Sequence, residues 1–246
     1  MLKTILSSTG DFYLGLLNLL YPQDCLVCSG RTRELKPAPP RRQRPASEGD
    51  PAPLCGPCSD RIMAYVETPH WVMTEDGFSF DAAYHVASYE DIVKRCICLF
   101  KYEGKIRLSK VLGSVMAEYA ARNTGCFGPI DMIVPVPLHP VKLRERQFNQ
   151  SELMAEHLAG RLDKKLEKNW LKRIKYTAPQ TGLSREQRLR NLKGAFLVRK
   201  EARFADKSVL LVDDVMTTGA TLHECAKTIK SAGAKKVLAY TLACGN

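Results

Sequence analysis

No apolar run in the 246 residues approaches the roughly 18–20 residues that cross a bilayer, so no membrane span is expected. The leucine-rich cluster at 14–20 is broken by Gly15 and Asn18, and no small-residue cleavage site follows it. A secretory leader is therefore not expected, and the cytoplasm is the default location. Histidine is scarce, at five residues, and tryptophan scarcer, at two. Aromatics near the most basic stretch amount to Phe148, Trp170 and Tyr176, too few for a pure single-strand stacking platform. The candidate phosphate loop is neither G-x-x-x-x-G-K-[ST] nor G-x-G-x-x-G, which excludes the P-loop and dinucleotide fingerprints there.

Acidic residues are also in short supply over much of the chain. Residues 101–246 hold 27 Lys and Arg against 14 Asp and Glu, whereas residues 1–100 hold 10 against 12. A basic half suits a diphosphate ligand, a nucleic acid, or both. The length fits one ordinary domain plus a small module, and 45% hydrophobic with 26% charged residues is a globular composition.

Cysteine is plentiful, at nine residues, and four of them carry a pattern: Cys25-Leu-Val-Cys28 and Cys55-Gly-Pro-Cys58. Two C-x-x-C knuckles separated by a loop are the ligand pattern of a structural zinc site, metal ligands Cys25, Cys28, Cys55 and Cys58. A reducing compartment disfavours disulfides, and a thioredoxin-like redox pair needs only one C-x-x-C. Residues 1–24 suggest a leucine-rich packing helix stopped by Pro22, and 36–53 a proline-rich insertion between the knuckles. Cys96, Cys98, Cys126, Cys225 and Cys244 read as ordinary thiols.

The stretch that organises the rest is 209–222, VLLVDDVMTTGATL. Four branched apolar residues predict a strand buried on both faces of a parallel sheet. Asp213 and Asp214 follow where that strand should leave the sheet, and Leu222–Ser231 should be a helix. Ligands of open α/β sheets bind there, at helix N-termini that favour anions. Two carboxylates repel a bare phosphate, but they accept hydrogen bonds from vicinal hydroxyls while a threonine loop holds a phosphate. A sugar monophosphate meets both demands; a simple helix cap needs one carboxylate and no T-T-G-A-T.

Elsewhere, strands are expected at 79–88, 131–137, 166–171, 195–198 and 237–242. Helices are expected at 92–100, at 108–120 from i, i+3, i+4, i+7 spacing, and from 149 to about 161. Asn149-x-x-Glu152 resembles a capping box at the last of these. Residues 173–191 form a long polar stretch of the kind that acts as a lid. The alternation of strands and helices predicts an α/β fold with a mainly parallel sheet, with the boundary between the N-terminal module and the main domain at 78/79.

VLLVDDVMTTGAT resembles the signature of type I phosphoribosyltransferases, which bind 5-phosphoribosyl-1-diphosphate (PRPP) with Mg2+. The resemblance implies that Asp213 and Asp214 hold the ribose hydroxyls and that Thr217, Thr218, Gly219, Ala220 and Thr221 wrap the 5-phosphate. Together with K-Y-x-G-K at 101–105, VPVPLHP at 134–140, R-x-R-x-F-N-Q at 144–150 and the double C-x-x-C, nearly the whole chain resembles the ComF (ComFC, GntX-like) family. That family couples an N-terminal zinc module, here 1–78, to a phosphoribosyltransferase-like domain, here 79–246.

By that resemblance the loop at Leu138, His139 and Pro140 meets the diphosphate, and the stretch beginning at Arg173 closes over it. Lys101, Lys105, Arg144 and Arg146 are candidates for neutralising its charge. Gln147 departs from the family pattern, which has glycine in R-G-F-N-Q. The implied function is phosphoribosyl transfer to an unidentified acceptor, with a role in DNA uptake during natural transformation and DNA-uptake machinery as partner. The alternative is a non-catalytic, PRPP-responsive protein that handles single-stranded DNA.

Overall fold

The computed structural model describes residues 24–30, 52–67, 71–72, 77–177 and 185–245. The expected helix at 1–24 lies outside the described residues save its last position, and the insertion at 36–53 save its last two. The chain divides into two compact units, Met1–Arg61 and Ile62–Asn246.

In the larger unit the apolar runs form the centre of a six-stranded sheet. Its strands are β1 (Trp71–Val72), β2 (Ala82–Ser88), β3 (Met132–Pro135), β4 (Lys165–Leu166), β7 (Ser208–Met216) and β8 (Lys236–Cys244), in the order β1-β2-β8-β7-β3-β4. Every pairing is parallel except that of β1 with β2. Val209, Leu210, Leu211 and Val212 are each fully buried, as a strand covered on both faces requires. Alternate side chains serve opposite layers. Val209 and Leu211 pack in one cluster with Cys225, Ala226 and Ile229 of helix α8 (Ala220–Ser231). On β8, Tyr240 donates its hydroxyl to Met116 O at 2.6 Å, inside α3 (Leu108–Arg122), which packs on α6 (Gln150–Leu162).

Two features differ from the sequence expectation. The stretch 166–171 is not one strand: Lys165–Leu166 joins the main sheet, while β5 (Leu171–Arg173) pairs antiparallel with β6 (Phe196–Val198) in a separate ribbon. The half-buried Trp170, in the bend between Leu166 and Leu171, packs edge-on against the Phe204 ring at 5.2 Å. The long polar stretch 173–191 ends in a helix, α7 (Arg185–Leu192), with 178–184 outside the described residues. Leu192 is fully buried in the cluster under α8 and the half-buried Leu189 packs against it, so these two leucines give an otherwise polar segment its footing.

The larger unit also has α2 (Asp91–Tyr102), the short α4 (Thr124–Phe127) and α5 (Pro140–Arg146), and α1 (Gly56–Met63) begins in the smaller unit. Gln147 closes α5 in the left-handed conformation, φ 68°, with its N–H donated to Leu143 O at 2.8 Å. Glycine is the unstrained residue at such a helix end, so a side chain there works against the backbone preference. Gln147 Nε2 offsets part of that cost by donating to Arg144 O at 2.7 Å.

Candidate functional site

The cleft arises because neighbouring strands stop at different heights. β3 ends at Pro135, opposite Val212 of β7, and the chain then turns away into α5. β7 does not end at its carboxylates as the sequence suggests. It continues to Met216, held on its other side by β8, with Asp213 opposite Thr241 and Val215 opposite Ala243. Asp213 and Asp214 therefore sit on a strand still paired with β8, at the point where β3 has departed. The opening above them has a volume of about 510 Å³.

Around this floor converge the ends of several elements. From α6, Asn149 caps the helix by accepting the Ser151 N–H at 3.2 Å, while its Nδ2 donates to Val136 O at 3.0 Å, tying the helix start to the end of β3. The expected capping box is not closed from the other side, since Glu152 pairs with Lys168 at 3.2 Å. The N-terminus of α6 thus faces the cleft with Gln150 and Ser151, and Ser151 Oγ donates to Asp213 Oδ1 at 2.7 Å. The Asp214 backbone N–H donates to the same oxygen at 2.9 Å. From the last turn of α2, Lys101 Nζ reaches Asp214 Oδ1 at 2.8 Å.

The threonine loop forms a second, smaller hollow lined by residues 213 and 215–222. Gly219 is the N-cap of α8 in the left-handed conformation, φ 70°. A Cβ there would lie 2.9 Å from the Phe78 ring, so both the backbone and the space demand glycine. Phe78 stacks on Phe80 at 4.8 Å, and the Ser79 N–H donates to His223 Nδ1 at 3.0 Å, bracing the loop from behind. No periodicity in the sequence singled out Phe78, Ser79 or His223.

Of the sequence candidates, Lys101, Leu138, Arg146 and Arg173 line the cleft with the two aspartates, Thr217 and Thr221. Lys105 and Arg144 are exposed and do not line it. His139 instead caps α5, accepting the Val141 N–H at 3.3 Å, and rings against Tyr176 at 5.3 Å. Tyr102 and Gln150 fall within the K-Y-x-G-K and R-x-R-x-F-N-Q motifs without an expected role, and both line the cleft. Tyr89, Lys142 and Ser151, which the sequence does not single out, line it too. Tyr102 is 73% exposed, and the Arg146 guanidinium lies 5.6 Å from its ring.

Two buried donors in this wall have no partner among the described residues: Gln150 Nε2 and Arg173 Nε. Gln150 accepts from Arg146 at 3.1 Å through its oxygen, which leaves its amide to donate elsewhere. Arg173 is held by Thr177 Oγ1 at 2.6 Å and by the Phe196 ring at 5.6 Å. Burial lowers its pKa. Buried donors without acceptors are costly, and an oxygen-rich ligand in the cleft would satisfy both.

The electrostatics set up a pH dependence. Asp213 is pushed up from its ordinary 3.8 to about 7, by burial first and by the neighbouring Asp214 charge second, against the pull of Ser151 and Lys101. The unfolded chain titrates near the ordinary value, so the folded protein holds an extra proton between about pH 4 and 7. Stability contributed by this group is therefore present at the acid end and is lost as pH rises through about 7. Asp213→Asn should flatten that slope and be most favourable, relative to wild type, above neutrality. Thermal melts of both proteins across this range test it, and superimposable pH profiles would contradict it.

In the smaller unit, the Sγ atoms of Cys25, Cys28, Cys55 and Cys58 all lie within 4.8 Å of one another, and the group could hold a metal ion. Cys28 and Cys55 Sγ are 3.6 Å apart. The first knuckle is closed by Ser29 N–H to Cys25 O at 2.9 Å, with Ser29 left-handed at φ 59°, and the Gly30 N–H points at Cys28 Sγ at 3.4 Å. The second opens α1, which places Cys58 in the first helical turn. Burial raises the Cys25 thiol, but the backbone amides of Cys28, Cys55 and Val27 together bring it down to about 7, whereas burial and the neighbouring thiols push Cys58 up.

Residues 149–246 match the family described as "Phosphoribosyl transferase domain". Competence protein F of Haemophilus influenzae is 31% identical over 78% of this chain and 84% of its own length. The DNA utilization protein YhgH of Escherichia coli K12 is 31% identical over 89% of this chain and 88% of its own. Competence protein ComFC of Streptococcus pneumoniae is 28% identical over 64% and 66%.

Proposed function

Since this chain belongs to the ComF family, that of competence protein F and DNA utilization protein YhgH, with a phosphoribosyltransferase domain, we propose that its larger unit binds PRPP with Mg2+ in the cleft above β7. The observation that carries this reading is one cleft holding acceptors and donors in separate places. Asp213 and Asp214 offer oxygens to ribose hydroxyls on the floor. The Thr217–Thr221 loop offers the N-terminus of α8 to a 5-phosphate. Arg146, Lys142, Gln150 and Arg173 line the same cleft and supply the donors that a diphosphate needs.

Mg2+ would neutralise diphosphate charge, keeping several of its waters and using one or two carboxylates here. In the transfer, the bond from ribose C1 to the diphosphate oxygen breaks and a bond from C1 to the acceptor forms. The diphosphate leaves with the bonding electron pair, and the acceptor gives up its proton. The residues of this chain contribute by orienting the sugar and stabilising the departing charge.

We assign a zinc ion to the smaller unit. Four thiols in mutual reach form a closed tetrahedral set with no open position, so its role is structural.

A second reading, a PRPP-responsive protein that handles single-stranded DNA without chemistry, is favoured by the exposed Tyr102 beside Arg146 at the mouth of the cleft. Calorimetry with PRPP and Mg2+ tests the shared premise: binding should be measurable, ribose 5-phosphate should compete, and free diphosphate should compete less well. No heat with folded protein would overturn both readings. Diphosphate release in the presence of candidate acceptors then separates the enzyme from the binding protein.

A further inference from the structure

Two adjacent carboxylates at the floor of an anion-binding cleft raise a question of charge balance. Such a pair attracts a divalent cation, yet within the protein each already has a partner. Asp213 Oδ1 takes the Ser151 hydroxyl and the Asp214 N–H. Asp214 takes the Lys101 ammonium at 2.8 Å, with the two side chains only 9% and 16% exposed. Burial would discharge Lys101, but the Asp214 charge and hydrogen bond outweigh it, and its pKa is raised, so it stays an ammonium.

The root of that side chain is fixed. Phe100, its neighbour at the end of α2, is fully buried and stacks on Phe148 at 5.2 Å. The lysine stem beyond has four rotatable carbons, so its head can change partners without the helix moving. Arg146, on the same cleft wall, cannot take over at Asp214 in this arrangement, since it is bonded to Gln150 and set against Tyr102.

We infer that Lys101 is the resident counter-cation of the Asp213–Asp214 pair, a positioning residue that excludes a free divalent cation until a sugar phosphate brings its own. When a ribose hydroxyl or its chelated metal takes Asp214, the ammonium is released into the same cleft and pairs with an anionic oxygen of the ligand. One ion pair breaks and one forms, so charge stays balanced throughout. The ligand half of this inference rests on the PRPP reading above; the exclusion of a free cation does not.

The test uses the full chain and Mn2+, read by electron paramagnetic resonance, first with no sugar phosphate. Wild type should bind Mn2+ weakly. Lys101→Met should gain at least about tenfold in Mn2+ affinity, because a like charge has been removed from the site, and Lys101→Arg should behave as wild type. With PRPP added, wild type should take up Mn2+ together with the ligand. Tight Mn2+ binding by wild type alone overturns the inference, and so does a folded Lys101→Met protein with no gain. Should Lys101→Met fail to fold, Lys101→Gln carries the same comparison. Failure of PRPP to bind wild type would sink the functional reading while leaving the Mn2+ comparison standing.

Discussion

Asp214→Ala should bind PRPP about 10–150-fold more weakly than wild type. Removing a hydrogen bond to a charged acceptor costs roughly 1.5–3 kcal/mol, and about 1.4 kcal/mol is tenfold in affinity. The loss should fall toward the lower end of that span. In the free protein Asp214 is already bound to Lys101, so wild type gives up one interaction to make the other, and only the difference is measured. The substitution also leaves a buried ammonium without its partner, a situation that destabilises by about 3–5 kcal/mol when it is not relieved. Asp214→Asn is the better-behaved companion, since it keeps the shape and its amide oxygen can still accept a hydrogen bond from Lys101, although the charge is gone. Calorimetry with PRPP and Mg2+, paired with thermal melts, separates lost affinity from lost fold. Wild-type affinity in both variants would place the ligand elsewhere.

Cys55→Ser should abolish tight zinc binding and with it the structure of the smaller unit. Structural zinc supplies about 10–16 kcal/mol in isolated finger peptides, far more than a unit of this size gains from its few buried apolar residues. Among the described residues of 24–61 these are Cys25, Leu54, Cys55 and Cys58, so three of the four buried side chains are the ligands themselves. Among the described residues, the link between the two knuckle segments besides the thiols is the Leu26 N–H donated to Pro53 O at 3.0 Å, which is worth far less than a zinc ion. Elemental analysis should find about one zinc per wild-type chain and much less in the variant, and limited proteolysis should cut the variant within residues 1–61. The larger unit has its own core under α8 and should keep its melting transition. Zinc-free wild type, purified without chelators, would end this account.

The sequence determined more of this protein than is usual, because its strongest signals are local. Val209–Val212 can only be a doubly covered strand, since four consecutive apolar side chains alternate between two faces and need shelter on each. T-T-G-A-T opens a helix, and Gly219 is required by a left-handed backbone against the Phe78 ring. The grouping of Cys25, Cys28, Cys55 and Cys58 was legible from spacing alone, because each C-x-x-C turn presents two thiols to one side, and the four thiols do come within reach of one another.

What remained hidden depends on relations between distant segments. That β7 runs on past Asp213 and Asp214 while β3 stops at Pro135 is a matter of strand pairing, and this difference in height is what opens the cleft. Lys101 and Asp214 are far apart in the chain; only the packing of α2 beside the sheet joins them into an ion pair. Ser151 looked like part of the start of an ordinary helix, and Lys105 and Arg144 looked as eligible as Lys101 and Arg146. Charge on a residue says what it can bind. Which charges face a common ligand is decided by where helix ends and strand ends converge, and that is settled by the tertiary structure.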